Sequence, residues 1–210
     1  MKKNEMDTIY KTVPLAEIPW NRETPPGALV ELVESGKVPP CKAIDLGCGA
    51  GNYAIYLTKK GFKVTGVDVS PTAIKIAREN AKKQGSNCNF IALNVLTDLK
   101  RINESFEFAY DWQLLHHIFP KDRENYIKSV HGLLTPGGKY LSVCFSEKDS
   151  YFDDTGKYRK TNLGTTLYFS SENELRKLFT PYFTVIELKT IETGDKSSPH
   201  FVNYAFMEKR

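Results

Sequence analysis

Asp45-Leu46-Gly47-Cys48-Gly49-Ala50-Gly51 is the stretch of this chain whose residue types and spacing point most directly to chemistry. It lies between a short apolar run (43–46) and a segment with helical spacing that opens at Asn52. Glycines at such a junction let the backbone approach a ligand where a Cβ would collide. In open α/β sheets, ligands bind at the carboxyl ends of the strands. The spacing narrows the ligand. A dinucleotide fingerprint is G-x-G-x-x-G, with the pyrophosphate on the helix N-terminus. Here the pattern is G-x-G-x-G, with an acid two residues before the first glycine. A carboxylate at Asp45 repels a pyrophosphate and suits an ammonium or sulfonium group. No Gly-Lys-Ser/Thr follows, so a P-loop is excluded. The second strand-like run ends in Val67-Asp68-Val69-Ser70, where Asp68 can accept hydrogen bonds from both hydroxyls of a ribose.

These residues need strands and helices to position them, and the middle of the chain alternates the two patterns. Strands are expected at 43–46, 63–68, 88–93, 106–111 and 140–145. Helices are expected at 52–60, from Pro71 to a stop at Gly85, and at 121–134. Ser70-Pro71 supplies an N-cap and a proline at the first helical position. Pro136-Gly137-Gly138 reads as a turn. Such alternation implies a parallel sheet covered on both faces, and right-handed crossovers leave a doubly wound, Rossmann-like α/β sandwich of three layers. Upstream, Thr24-Pro25-Pro26 opens a helix through Ser35, preceded by an apolar cluster, Ile18-Pro19-Trp20, whose plainest role is to cap the core edge. The stretch 146–167 is polar, turn-rich and long for a connection. Ser170-Ser171 caps a helix to Phe179, with Glu174 at capping-box spacing from Ser171. Two late strands, 183–190 and 201–207, joined by 194–199, read as an antiparallel hairpin at the end of the sheet.

The 210 residues, 40% hydrophobic and 26% charged, exclude a disordered or low-complexity chain and fit one domain. Within it, 1–40 form an N-terminal helical cover, 41–145 a ligand-binding core and 146–210 a lid region, late helix and terminal hairpin. The net charge of +4 is scattered rather than gathered in a patch, so no nucleic-acid partner is expected. There is no apolar run of transmembrane length and no signal-peptide core. Cys41, Cys48, Cys88 and Cys144 contain no C-x-x-C pair, which suggests neither a metal site nor a disulfide framework, and a reducing, cytoplasmic location. Cys88 and Cys144 read as core thiols.

Taken together, Ile44 to Gly51, Gly66-Val67-Asp68-Val69-Ser70, Leu115-His116-His117-Ile118 and Leu134-Thr135-Pro136-Gly137-Gly138 resemble the class I S-adenosylmethionine-dependent methyltransferases. The resemblance implies a seven-stranded, mostly parallel sheet with an antiparallel last strand. It implies S-adenosyl-L-methionine as cofactor, its methionine end held by Asp45, Gly47, Cys48, Gly49 and Gly51. The ribose would lie at Asp68 beside Val69. The adenine would lie at Asn94 and Val95, where Asn94 replaces the more usual Asp but keeps a carbonyl acceptor. Asp111 and Trp112, with Gln113, would line the methyl-transfer face. A narrower resemblance is to the thiopurine, thiol and halide methyltransferases and the tellurite-resistance methyltransferases. It is carried by Pro19-Trp20, Tyr110-Asp111-Trp112-Gln113, Arg123-x-x-Tyr126 and 170–179. It implies a Trp20 ring near the sulfonium, where a cation–π contact is worth on the order of 0.5–2 kcal/mol. Where such proteins tend to carry Gly-Pro-Pro-Phe, this chain has Gly164-Thr165-Thr166-Leu167.

Transfer from a sulfonium needs alignment and exclusion of water more than activation of the leaving group. A thiol or similar soft acceptor ionises near neutrality and needs no base, whereas a hydroxyl or amine often does. The catalytic candidates are His116, His117 and Asp111. One histidine could orient or deprotonate an acceptor, but adjacent residues point in different directions and cannot both face it. Asp111 suits orientation of the cofactor's amino group better than the role of base. Tyr151, Phe152, Tyr158 and Tyr168 could form an aromatic lid over the acceptor. The reading is a small-molecule methyltransferase, monomeric or homodimeric, with no membrane partner. A nicotinamide oxidoreductase and a non-catalytic nucleoside-binding module are the alternatives.

Overall fold

The computed structural model describes residues 3–152, 156–195 and 198–210. Helix α1 (Lys3–Thr12) and α2 (Gly27–Glu34) precede an alternating run: β1 (Lys42–Leu46), α3 (Asn52–Lys59), β2 (Lys63–Asp68), α4 (Pro71–Lys83), β3 (Asn89–Ala92), β4 (Phe106–Trp112), α5 (Pro120–Leu133) and β5 (Leu134–Phe145). A small antiparallel pair follows, β6 (Tyr158–Lys160) and β7 (Thr166–Tyr168), then α6 (Glu172–Phe179), β8 (Phe183–Asp195) and β9 (Ser198–Lys209). The main sheet has seven strands in the order β3-β2-β1-β4-β5-β9-β8. The pairs among β1 to β5 are parallel, and β9 runs antiparallel to both neighbours. This is the expected doubly wound, seven-stranded sheet with an antiparallel last strand. Among the described residues no helix is long and apolar enough to cross a membrane.

Strand alternation sorts the side chains onto two faces. On β4, Phe108 and Tyr110 bury against α2, α3 and α4, while Ala109 faces α5 and α6 in the other cluster. Each fully buried side chain of this size contributes about 1.5–3 kcal/mol. The caps lie where the residue types put them. Ser70 Oγ accepts the Ala73 N–H at 3.0 Å at the start of α4, and Ser171 with Glu174 completes a capping box on α6.

The turn at Pro136-Gly137-Gly138 exists, but inside β5. Phe106 pairs with Leu134 and Phe108 with Lys139, so the residues between Leu134 and Lys139 bulge out of the ladder. Three features depart from expectation. Residues 3–12, given no element of their own within the expected helical cover, form α1, whose Met6, Ile9 and Tyr10 pack on Val69 and Ala73. The supposedly irregular 146–167 stretch contains β6 and β7. Cys88 is only half-buried and Cys144 alone is a core thiol, because Cys88 precedes the short edge strand β3. Part of the expected 194–199 loop, 196–197, lies outside the described residues, as does 153–155 of the lid region.

Gly51 ends the glycine loop and caps α3 in the left-handed region at φ 80°. A Cβ there would lie 2.8 Å from Phe90 Cζ and 2.9 Å from Ala77 Cβ. Gly51→Ala therefore combines backbone strain with overpacking. It is expected to lower unfolding stability by about 2–4 kcal/mol in chemical denaturation.

Candidate active site

The carboxyl ends of β1, β2 and β4 frame a cleft, and backbone hydrogen bonds set its floor. Gly47 and Cys48 N–H both donate to Val67 O, at 2.8 and 3.0 Å, which ties the glycine loop to β2. Asp68 extends the tie: Oδ2 accepts the Gly49 N–H at 3.0 Å and Oδ1 the Ser70 N–H at 2.9 Å. These bonds leave lone pairs on both oxygens. Burial is the main cause that raises the Asp68 pKa, opposed by the backbone donors.

Asp45 is different. It is buried, and its Oδ2 has no hydrogen-bond partner. Burial pushes its pKa up to about 7, opposed by the nearby Tyr110 hydroxyl, which is itself buried without a hydrogen-bond partner, and reinforced by the charges of Asp68 and Asp111. An orphaned carboxylate oxygen beside a glycine cradle is a receptor for a cation.

The cleft is roofed from the N-terminal segment. The Tyr10 hydroxyl sits where any side chain on Gly49 would go, 2.6 Å from the position of a Cβ. Trp20 Nε1 donates to that hydroxyl at 3.0 Å. The space left beneath is about 60 Å³. Trp20, Tyr53, Trp112, Gln113 and His117 also form the wall of a second, larger cavity of about 910 Å³ that opens beyond them. Gln113 holds a positive φ of 64°, a strain placed where cleft and cavity meet.

Of the residues singled out from the sequence, Trp20, Asp45, Gly47, Cys48, Gly49, Asp68, Trp112 and His117 line the cleft. Others do not. Asp111 is turned to the opposite face of β4, as strand alternation requires. There Oδ2 accepts from Tyr126 at 3.0 Å and from Tyr140, and Oδ1 from Ser142 at 3.0 Å. It is a saturated core carboxyl, with its pKa raised by burial to about 6, and it cannot reach an acceptor. Asn94 accepts the Leu96 N–H at 3.0 Å and keeps a second lone pair on its carbonyl, away from the part of the cleft that Tyr10 roofs. Val95 is buried in the α5 face of the core, and Val69 lies under α1. Gly51 packs against Phe90 and Ala77 instead of the cleft.

His116 and His117 occupy a one-turn 3₁₀ helix (Leu115–His117) held by Arg123, which donates to Ile118 O, Leu115 O and Ser170 Oγ. His116 Nδ1 lies 3.4 Å from the Phe145 N–H that donates to it. Burial pushes the His117 pKa down to about 4 and that of His116 well below its ordinary value. Both rings border the larger cavity, and His117 borders the cleft as well. Of the four aromatic residues proposed as a lid, only Tyr151 faces the cavity. Tyr168 is buried against the Arg123 guanidinium, 4.5 Å from its ring centre. Thr165 and Leu167, from the stretch that departs from the resembling families, line the cavity too.

The sequence reading missed Met6 and Tyr10 in the roof and Tyr53 in the wall. Met6, Ile9, Tyr10 and Val13 do fall at helical spacing, a signal that was available. Nothing local marks Tyr53.

Residues 43–138 match the family model described as a methyltransferase domain. The chain carries a methyltransferase domain over these residues. It is 29% identical to the 2-heptyl-1-hydroxyquinolin-4(1H)-one methyltransferase of Mycobacteroides abscessus, over 82% of this chain and 71% of that protein. It is 27% identical to thiocyanate methyltransferase 1 of Brassica oleracea, over 62% of this chain but only 58% of the relative's length. Among solved structures it is similar to the 1,6-didemethyltoxoflavin-N1-methyltransferase of Burkholderia thailandensis. That similarity has a TM-score of 0.77 at 21% identity, over 99% of this chain and 86% of the other, and shows the shared fold.

The methyltransferase site fits its cofactor on two observations, the unpartnered Asp45 oxygen and the cradle that a Cβ on Gly49 would fill. A pH dependence follows. In the ligand-free fold Asp45 keeps its proton up to about pH 7, whereas the unfolded chain loses it near 3.8. Asp45 therefore contributes stability at low pH that is lost as pH rises through about 7. An ammonium placed beside it lowers that pKa. Binding of S-adenosylmethionine at pH 6, where its amino group is already an ammonium, is thus expected to release close to one proton, and almost none in Asp45→Asn. Calorimetry in buffers of different ionisation enthalpy measures this count.

Proposed function

We propose that this methyltransferase acts on a small aromatic acceptor seated in the 910 Å³ cavity and able to ionise without help from the protein. One observation carries the reading: Trp20, Trp112, Gln113 and His117 form a single wall with the cofactor cleft on one side and the cavity on the other. When bound, the cofactor supplies a methyl group already activated on a sulfonium. The chain's own residues do the rest. Asp45 holds the ammonium of the methionine end, Asp68 offers its remaining lone pairs to the ribose, and the face of Trp20 lies toward the sulfonium. Helix α1, with Tyr10, is a cover that lifts to admit the nucleoside, since about 60 Å³ is well under the roughly 300 Å³ of ordinary small-molecule sites.

The histidines support an acceptor that ionises by itself. A ring whose conjugate acid titrates near 4 is a weak base, and His116 already accepts a backbone N–H at Nδ1. Thiols and acidic hydroxyls meet the requirement. The volume favours a bicyclic ring over an ion of a few atoms, as in the relative that acts on a hydroxyquinolinone. The four free thiols support a cytoplasmic setting. The wall that His117 shares with both spaces favours one second reading, in which it serves as base toward a hydroxyl or amine.

Incubation with methyl-labelled S-adenosylmethionine and a panel of thiols, acidic hydroxyls and amines tests the reading. His116→Ala and His117→Ala should each keep turnover within about tenfold of the parent above the acceptor's pKa, because a positioned base contributes about 10²–10⁴-fold. The rate should rise with pH along the acceptor's own ionisation. Loss beyond roughly a hundredfold in either variant, with cofactor affinity intact, would establish a histidine base instead.

A further inference from the structure

A second buried carboxylate lies behind the wall of the acceptor cavity, against His200. Asp149 has no solvent-exposed side-chain surface, and burying an ionised carboxylate is costly unless donors surround it. Three do. Oδ1 accepts the Tyr151 N–H at 2.9 Å, and Oδ2 accepts the Phe201 N–H at 2.7 Å and lies 3.1 Å from His200 Nδ1. Because a carboxylate only accepts, the proton of a neutral His200 ring resides on Nδ1, and Nε2 carries a lone pair. The ring is fixed on its faces too. Tyr151 stacks on it at 5.2 Å and 19°, and Phe145 meets it edge-on at 5.4 Å. His200 borders the cavity but not the cofactor cleft. From it the rings of Phe145, His116 and His117 run back to the wall shared with the cleft. A histidine held so firmly in one tautomer, outside the cleft and separated from the shared wall by the rings of Phe145 and His116, is built for recognition rather than for proton transfer at the reacting atom.

We propose that His200, oriented by Asp149, binds the acceptor: its Nε2 takes a hydrogen bond from an N–H or O–H on the edge of a planar acceptor remote from the methylated atom. The acceptor class is thereby narrowed to flat molecules with a donor at the end opposite the nucleophile. The proposal rests on the cavity being the acceptor site, and the test separates the two. The probes are quinolin-4(1H)-one, which carries a ring N–H, and 1-methylquinolin-4(1H)-one, which does not, each titrated into the full chain saturated with S-adenosylhomocysteine. Histidine ¹⁵N spectra report the tautomer and the contact. His200→Phe keeps the ring packing and removes both nitrogens.

The expected result is a His200 ring protonated at Nδ1, with an Nε2 signal that moves on adding quinolin-4(1H)-one. That probe should bind about three- to tenfold tighter than its methylated analogue, the worth of one neutral hydrogen bond, and the preference should vanish in His200→Phe. A His200 protonated at Nε2, equal affinity for the two probes, or a preference that survives His200→Phe would overturn the proposal. Shifts at His116 and His117 with none at His200 would overturn it and leave the cavity reading standing. Absence of any shift at the three histidines would remove the acceptor site itself, and the proposal with it.

Discussion

The Asp68 carboxylate is the joint on which the site depends. One oxygen holds the Gly49 N–H and the other the Ser70 N–H, so the end of β2 carries both the glycine loop and the start of α4. Val67 O takes the Gly47 and Cys48 N–H groups from below. Four backbone donors anchored on two consecutive residues leave the loop little freedom. The loop in turn holds its glycines open beneath Tyr10 and sets Asp45 at the edge of the space between them. A charge-assisted bond to backbone N–H is about twice as strong as a neutral one, which suits an acid to this joint better than an amide.

Two buried acids at the ends of adjacent strands show how environment divides structure from function. Asp45 ends up with an oxygen that accepts no hydrogen bond from the described residues, whereas Asp111 is saturated by Tyr126, Tyr140 and Ser142. Burial raises both pKa values. The difference is that Asp111 has found its partners within the fold and Asp45 has not, so only Asp45 is left for a ligand to complete. A third acid, Asp149, spends its hydrogen bonds on fixing His200. The same residue type thus stands with a free oxygen at the cleft, as a core tie and as the support of another side chain.

The fold was legible because its signals are local and repeated. The Ser70-Pro71 cap, the Ser171/Glu174 box and the alternation of 43–145 each specify an element without knowledge of its neighbours. The glycine spacing with Asp45 and Asp68 was legible for the same reason, since two strand ends and a loop define it. Asp111 was misplaced because its direction depends on one step of strand register, which flips a side chain to the other face. Asn94 closes a turn with the Leu96 N–H and keeps a second lone pair on its carbonyl, a local bond that its spacing alone does not reveal. The helix that carries Tyr10 was legible in the spacing of Met6, Ile9 and Val13, but its place over the cleft and the Asp149–His200 pair were out of reach. They join positions far apart in the chain, and only the folded sheet brings them to the site.

The central claim is that the loop, Asp45 and Asp68 together select a cationic nucleoside over a dinucleotide. Isothermal titration of the ligand-free chain with S-adenosylmethionine and, separately, with NAD tests it most directly. The account predicts saturable, micromolar binding of S-adenosylmethionine and its demethylated product on the order of 8 kcal/mol, with no measurable heat from NAD. Saturable binding of NAD with no response to S-adenosylmethionine would contradict it.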